Sequence, residues 1–418
     1  MQQVTIDPEK KSGRREGLLR GSDLGAEKAK RPILVSIGIL AWNEERAIAN
    51  TLGSLLEQSL FAELDRQGLG CEIVCVINGC TDRTPEIASQ VFEEQAIQHP
   101  YRRCFSGRVE NLSEQGKQNA WNQFVHQCSS REAQFLIIMD ADILIHRKES
   151  LWKMIAALQN DERLSVTATL PCKDIAFRNP RAIKERLSLS MSEMTRAANG
   201  QLCAQLYCIR AAVARNLYLP RDLGACEDGF IKAVACTDFF THEILPERIR
   251  IVPGAEHIFE AYTSPLAVLR NQKRQIIGQT ILHVLLDDHF KTLTTHERQT
   301  LGETLKRKEE ADRFWIKRLI AEHLKRTRFF WQLYPGLLTL RWKRLKNLSG
   351  WKRVVCFPAA AGSVLVAFLA SFMAWNALKR GGTGYWPKKG GNATHKGEEK
   401  TANACASQGI LPKQVPNT

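Results

Sequence analysis

Three runs in the first 140 residues are apolar almost without interruption: Ile33–Leu40 (ILVSIGIL), Glu72–Asn78 (EIVCVIN) and Phe135–Met139 (FLIIM). A half-exposed strand alternates polar and apolar residues, so continuous runs mark strands buried on both faces. Helical patterns follow each of them: Glu44–Gln58, then TPEIASQVFEEQAI, and ESLWKMIAALQ. A weaker strand near Arg103–Val109 leads to GKQNAWNQFVHQC, and LSVTATL adds another strand after residue 163. Strands alternating with helices predict the α/β class, an open and mostly parallel sheet with helices on both faces.

Such sheets bind ligands at the carboxyl ends of their strands. The first run ends in Ala41, Trp42, Asn43, Glu44 and Glu45, the second in Asn78 to Thr84, and FLIIM in Asp140, Ala141 and Asp142. No GxGxxG turn or GxxxxGK[ST] loop follows a strand, which excludes the dinucleotide fingerprint and the P-loop. Asp140 and Asp142 stand at i and i+2 of an extended chain and point the same way, as two ligands of a hard cation such as Mg²⁺ or Mn²⁺ do. A second acidic pair, Glu227 and Asp228, lies in LGACEDGFIKA. As a helix-start charge pair it is worth under ~1 kcal/mol. Together the pairs supply a metal site and a separate general base, the inventory for moving a group from a diphosphate to a hydroxyl.

In this order, ILVSIGILAWNEE, VINGCTDRT, GKQNAWN, FLIIMDAD and CEDGF resemble the motifs of the family 2 glycosyltransferases, which have a GT-A fold, over about residues 32–280. The resemblance implies that Asn43 and Glu44 lie near the nucleotide. Gly79, Asp82 and Thr84 match the family's Asp-Asp-Gly-Ser-x-Asp-x-Thr turn, while Ile77 and Asn78 replace its leading aspartates; Asn78 still donates and accepts hydrogen bonds. Gly116, Lys117, Ala120 and Asn122 match Gly-Lys-x-x-Ala-x-Asn, with Lys117 implied as a diphosphate contact. Asp140 and Asp142 match the DxD motif, Asp142 being the chief metal ligand, and Glu227 and Asp228 match Glu-Asp, Asp228 being the base. In NQKRQIIG, Arg274 and Gly278 match a motif of polymer synthases, but Asn271 and Gln275 replace its Gln and Trp. That Trp helps to hold a growing glycan, so its replacement implies transfer of a single sugar, with inversion, from a nucleotide-diphosphate sugar.

The net charge of +15 is unevenly placed: residues 33–265 carry −5 and residues 266–353 carry +12. From His323 to Arg353 nine Lys or Arg and no acid are interleaved with Phe329, Phe330, Trp331, Tyr334, Trp342 and Trp351. This mixture suits an anionic lipid interface better than nucleic acid, for which no motif is present. Val354–Leu378 then runs 25 residues without a charge, long enough to cross a bilayer or, with Pro358, to re-enter it. The expected organisation is a flexible arm (1–31), a catalytic domain (32–265), a basic aromatic-rich helical region (266–353), an apolar membrane-length helix (354–378) and a flexible polar tail (379–418).

The 12 cysteines show no zinc spacing, and Cys71, Cys75, Cys203 and Cys208 lie in apolar strand-like runs. With no apolar stretch at the N-terminus, they favour the cytoplasmic face of a membrane. The expected partners are a nucleotide-sugar donor, a hydroxyl acceptor on a lipid, lipid-linked or glycan molecule, and membrane lipids. A non-catalytic, membrane-anchored binding protein is the rival reading, permitted by the altered turn at Ile77 and Asn78 and opposed by both acidic pairs. Asp287, Asp288 and His289 are consecutive, point apart on a helix and read as solvated surface. His242 and His257 are candidates for a third metal ligand or an acceptor contact.

Overall fold

The computed structural model describes residues 31–177, 200–261, 264–339 and 350–383. Nearly all of the expected arm and of the polar tail, and part of the basic region, lie outside the described residues. In chain order the elements begin with β1 (Ile33–Ala41), α1 (Ile48–Leu56), α2 (Leu60–Arg66), β2 (Gly70–Asn78), α3 (Thr84–Val91), β3 (Phe105–Leu112) and α4 (Lys117–Gln123). Next come β4 (Phe135–Asp140), β5 (Leu144–Ile145), α5 (Ser150–Asn160), β6 (Val166–Lys173), β7 (Leu206–Arg210), α6 (Ala211–Arg215), α7 (Glu227–Thr237) and β8 (Ile249–Phe259). Helices α8 (Pro265–His283), α9 (Thr295–Gln299), α10 (Leu301–Ala311), α11 (Trp315–Arg326) and α12 (Gly350–Lys379) complete the chain.

The strands form an eight-stranded sheet in the order β3-β2-β1-β4-β7-β6-β8-β5. β3, β2, β1 and β4 are parallel, β7 opposes both β4 and β6, β8 runs with β6, and β5 opposes β8. Every strand except β5 and β7 therefore points the same way, and the mostly parallel sheet expected from the apolar runs is the one that forms.

The continuous runs are apolar because successive side chains feed two separate cores. Ile37, Ile39, Ile73, Cys75, Ile137 and Met139 join the layer of α1, α2, α3 and α5. Val74, Val76, Leu136 and Ile138 join Trp121 and Phe124 on the opposite face, together with residues of α7 and α8. That second core continues through Ile316 and Ile320 of α11 to Ala370, Ala374 and Leu378 of α12. At Gly38 of β1 a Cβ would stand 2.6 Å from the Phe124 ring, so a side chain there would push the covering layer off the sheet.

The one charge inside these runs, Glu72, is buried and fully engaged. It accepts from the Ser36 hydroxyl at 2.5 Å, from the Ser130 backbone N–H and from Arg108 Nη1 at 2.8 Å, so its buried oxygens are satisfied. Cys71, Cys75 and Cys208 occupy buried strand positions as expected. Cys203 does not: it precedes β7 and is half-buried. The apolar run expected at Val354–Leu378 lies within α12, and Ala361–Lys379 is the one helix among the described residues long and apolar enough to cross a membrane.

Candidate active site

At the carboxyl ends of β1 and β2, short polar side chains tie two loops into one unit. Asn43 takes a left-handed φ of 56°, a conformation Asn tolerates better than most residues. Its backbone N–H meets Cys80 Sγ at 3.1 Å, its Oδ1 accepts from the Thr81 N–H at 2.8 Å, and its Nδ2 donates to Thr81 Oγ1 at 3.4 Å. Asp82 accepts from the N–H of Glu45 at 3.2 Å and from the N–H and hydroxyl of Thr84 at 3.1 and 2.6 Å. Thr84 Oγ1 in turn accepts from the Glu44 N–H at 2.8 Å. Asn78 is buried, and its Oδ1 accepts from the Gly116 N–H at 2.8 Å, fixing the residue just before α4.

The ends of β4, α4 and α7 meet through charge. Lys117, at the first position of α4, places Nζ 2.7 Å from Asp140 Oδ1 and 3.1 Å from Glu227 Oε1, and all three side chains are nearly buried. Burial opposes the charge on Lys117, but the two carboxylates outweigh it and hold the ammonium above the ordinary lysine range. Asp140 is pushed up to about 6 by burial, the pull of Lys117 being partly offset by the like charges of Asp142 and Glu227. Asp228 is also raised to about 6, by burial first and Glu227 second, while Lys117, Arg274 and a 2.7 Å bond from the Gly229 N–H act the other way. Burial is the first cause for both aspartates; beside it, four carboxylates, Asp140, Asp142, Glu227 and Asp228, against two cations, Lys117 and Arg274, make the cluster favour a cation.

Two further contacts hold this cluster in place. α4 is bound across the sheet edge: Gln118 donates to the Gly224 carbonyl, and Asn122 exchanges bonds of 2.8 and 2.9 Å with the backbone of Leu219. On the far side, α8 presses on the start of α7 at Gly278, where a Cβ would stand 2.9 Å from the Ala225 carbonyl oxygen. That close approach carries Arg274 within electrostatic reach of Asp228.

The structure thus brings Lys117, Asp140, Glu227, Asp228 and Arg274 together. Asp142 is half-buried, and its charge acts on both Asp140 and His257. His257 is wholly buried, with ring nitrogens 2.7 Å from Thr169 Oγ1 and 3.2 Å from Gln205 Oε1, and burial lowers it to about 4. His242 is not part of the site. It is exposed beyond the far end of α7, against Thr241 and Asp238. Asp287 and Asp288 are exposed as expected, whereas His289 is half-buried with Nε2 2.8 Å from Lys308 Nζ. Among the described residues no group of three or more His, Cys, Asp and Glu side chains has the spacing to hold a metal ion.

Two residues at this edge escape sequence reasoning. The Trp42 indole N–H is buried without a partner beside Asn43; its signal, an aromatic residue at a strand's carboxyl end, stands in the AWNEE stretch. Gln205 accepts the Asp140 N–H at 2.9 Å through its carbonyl while its side chain meets His257, and nothing in its local sequence announces this.

The family model described as glycosyl transferase family 2 matches residues 36–214. The matched stretch contains Asn43, Asp82, Lys117, Asp140 and Asp142, and closes at α6, before Glu227, Asp228 and Arg274. No curated protein matches the chain. Among solved structures, S. aureus TarS is similar at 18% identity and TM-score 0.40, over 83% of this chain and 55% of that one. The chain thus spans about half the length of TarS. M. tuberculosis glucosyl-3-phosphoglycerate synthase is similar at 14% identity and TM-score 0.38, over 61% of this chain and 81% of that one.

Proposed function

We propose that this glycosyltransferase moves one sugar from a nucleotide-diphosphate sugar to an acceptor hydroxyl, with inversion at the anomeric carbon. The observation that carries the reading is the Asp140–Lys117–Glu227 bridge, which sets Asp228 beside the strand end where donors bind in open α/β sheets. Asp228, poised near neutrality, takes the proton from the attacking hydroxyl on the face opposite the leaving group. Lys117 and Arg274 offer N–H donors to the diphosphate, and Glu227 orients Lys117 and faces the sugar. Asn43, Glu44, Asn78 and Asp82 shape the nucleotide end of the pocket through the loops they bind together.

The donor set fits a divalent cation. Asp142 and Asp140 present hard carboxylate oxygens of the kind Mg²⁺ and Mn²⁺ take, in a cluster with an excess of negative charge. Bound there, the cation balances the charge that develops on the diphosphate leaving group. The acceptor is proposed to be a lipid, lipid-linked or glycan hydroxyl at the cytoplasmic face of a membrane, approached through the basic, aromatic region after residue 265.

A panel of nucleotide sugars scored for nucleoside diphosphate release, with and without Mg²⁺ or Mn²⁺ and with and without membrane lipid, tests the reading. Metal-dependent release from one donor, lost in Asp228→Asn, is expected. No release from any donor would overturn it in favour of the binding-protein reading.

A further inference from the structure

The apolar helix α12 has two unlike faces. Ala367, Ala370, Ser371, Ala374 and Leu378 are buried, and three of them join the core that covers the catalytic sheet. Phe357, Leu365, Phe368, Leu369 and Phe372 are between 39% and 60% exposed. The exposed face is extended by a second segment: the Phe330 ring meets Phe368 at 4.9 Å and Phe372 at 5.5 Å, and Trp331 stacks on Phe329 at 4.6 Å. A contiguous aromatic surface of this kind is uncommon on a protein that meets only water. Exposed Arg328 borders it, lying over the Phe329 ring at 5.2 Å, and exposed Lys325 and Arg326 stand just before it in the chain.

Resting on the reading of a membrane-associated transferase, we propose that α12 lies in the plane of a membrane, with its outward aromatic face in the interface of a leaflet rich in anionic lipid and its inward face kept in the catalytic core. An in-plane helix needs one apolar face and cationic neighbours, and both are present. Spanning would require much more. The helix packed along α12 is α8, whose residues Arg270 to Gln275 are six consecutive polar or charged side chains, unsuited to hydrocarbon. Beyond its last turn the chain is also fastened: Thr383 is buried, donates to Asp222 Oδ1 at 3.3 Å, and abuts Gly224, three residues before Glu227. Drawing α12 into a bilayer core would strip the inner stripe from the protein and pull on the loop that leads into the acidic pair.

The test uses the full chain and vesicles of phosphatidylcholine alone or mixed with phosphatidylglycerol. Wild type is expected to float with the mixed vesicles, to leave them in alkaline carbonate, and to expose Lys352–Arg353 and Lys379–Arg380 to trypsin from the same side. The double change Phe368→Glu and Phe372→Glu should cut the floated fraction at least tenfold without altering Tm or nucleoside diphosphate release in the absence of vesicles. Ala370→Leu on the inner stripe should instead lower Tm. Resistance to carbonate with the two basic pairs on opposite sides would overturn the proposal in favour of a spanning helix. Failure of wild type to float would overturn it outright, as would a solution dimer that the double change dissolves. Release measured without vesicles reports the transferase reading separately, so the two can fail independently.

Discussion

The two halves of the sheet edge are held by different forces. At β1 and β2, Asn43, Asn78, Asp82 and Thr84 satisfy backbone N–H groups at 2.8 to 3.2 Å, and the loops they join are fixed by short, local hydrogen bonds. At β4 and α7, fixation comes from opposite charges out of water: Lys117 holds Asp140 and Glu227, and two carboxylates stand well above their usual range. The first half is rigid and stable for the same reason. The second is held at a cost in stability, which on the proposed reading would poise Asp228 as a base near neutral pH.

The sharpest way to test the contrast is Asp228→Asn. A positioned base contributes about 10²- to 10⁴-fold to rate, so turnover should fall by that factor while donor binding measured by calorimetry is retained. Because the change removes a charge that burial disfavours, Tm should rise or hold; a fall in Tm with normal turnover would refute both the role and the strain. Lys117→Met should be next in size, since removing one partner of a buried ion pair costs about 3–5 kcal/mol. Thermal unfolding should show the loss, and Lys117→Arg should recover part of it.

Acidification separates the halves without mutation. As pH falls through about 6, Asp228 takes up a proton, and the rate should drop roughly tenfold per unit. Stability should move the other way. The folded pKa values of Asp140 and Asp228 lie above those of the unfolded chain, so their contribution is fully present below the ordinary carboxylate range and is lost as pH rises through about 6. A Tm-against-pH curve should lose part of that slope in Asp228→Asn. At the hydrogen-bonded edge the effects should be smaller. Asn43→Ala removes two side-chain bonds and leaves Ala at a left-handed φ, for about 2 kcal/mol in all; it should raise the donor KM more than it lowers kcat. Thr84→Val should cost about 1 kcal/mol with turnover almost unchanged.

The charged half was the more legible in the sequence. Asp140, Glu227 and Lys117 are uncommon side chains to place at strand and helix ends facing a core, so residue type and position alone single them out. Asn43, Asn78 and Asp82 were equally visible as motif residues, but a motif cannot tell a side chain that meets ligand from one that binds its own backbone. The apolar runs revealed the sheet because burial on both faces leaves a continuous pattern. The opposed direction of β7 did not show, because LYCIR is as apolar as a parallel strand. Gln205 stayed hidden because it acts partly through a carbonyl, which every residue has. The faces of α12 were concealed by alanine, which packs and exposes with equal ease.

Helix α4 also bears on when the candidate site is completed as the chain folds. Its side chains join residues 97 and 106 positions further along the chain. Contacts this distant form late, since the entropy of closing the intervening loop must be met before they reward the fold. During synthesis the parallel strands β1 to β4 can assemble while Glu227 and Asp228 are still in the ribosome. On the proposed reading, sugar transfer would begin only after the 219–224 loop and α7 have emerged and docked on α4. A nascent chain halted before residue 220 is expected to hold most of the sheet and none of the chemistry.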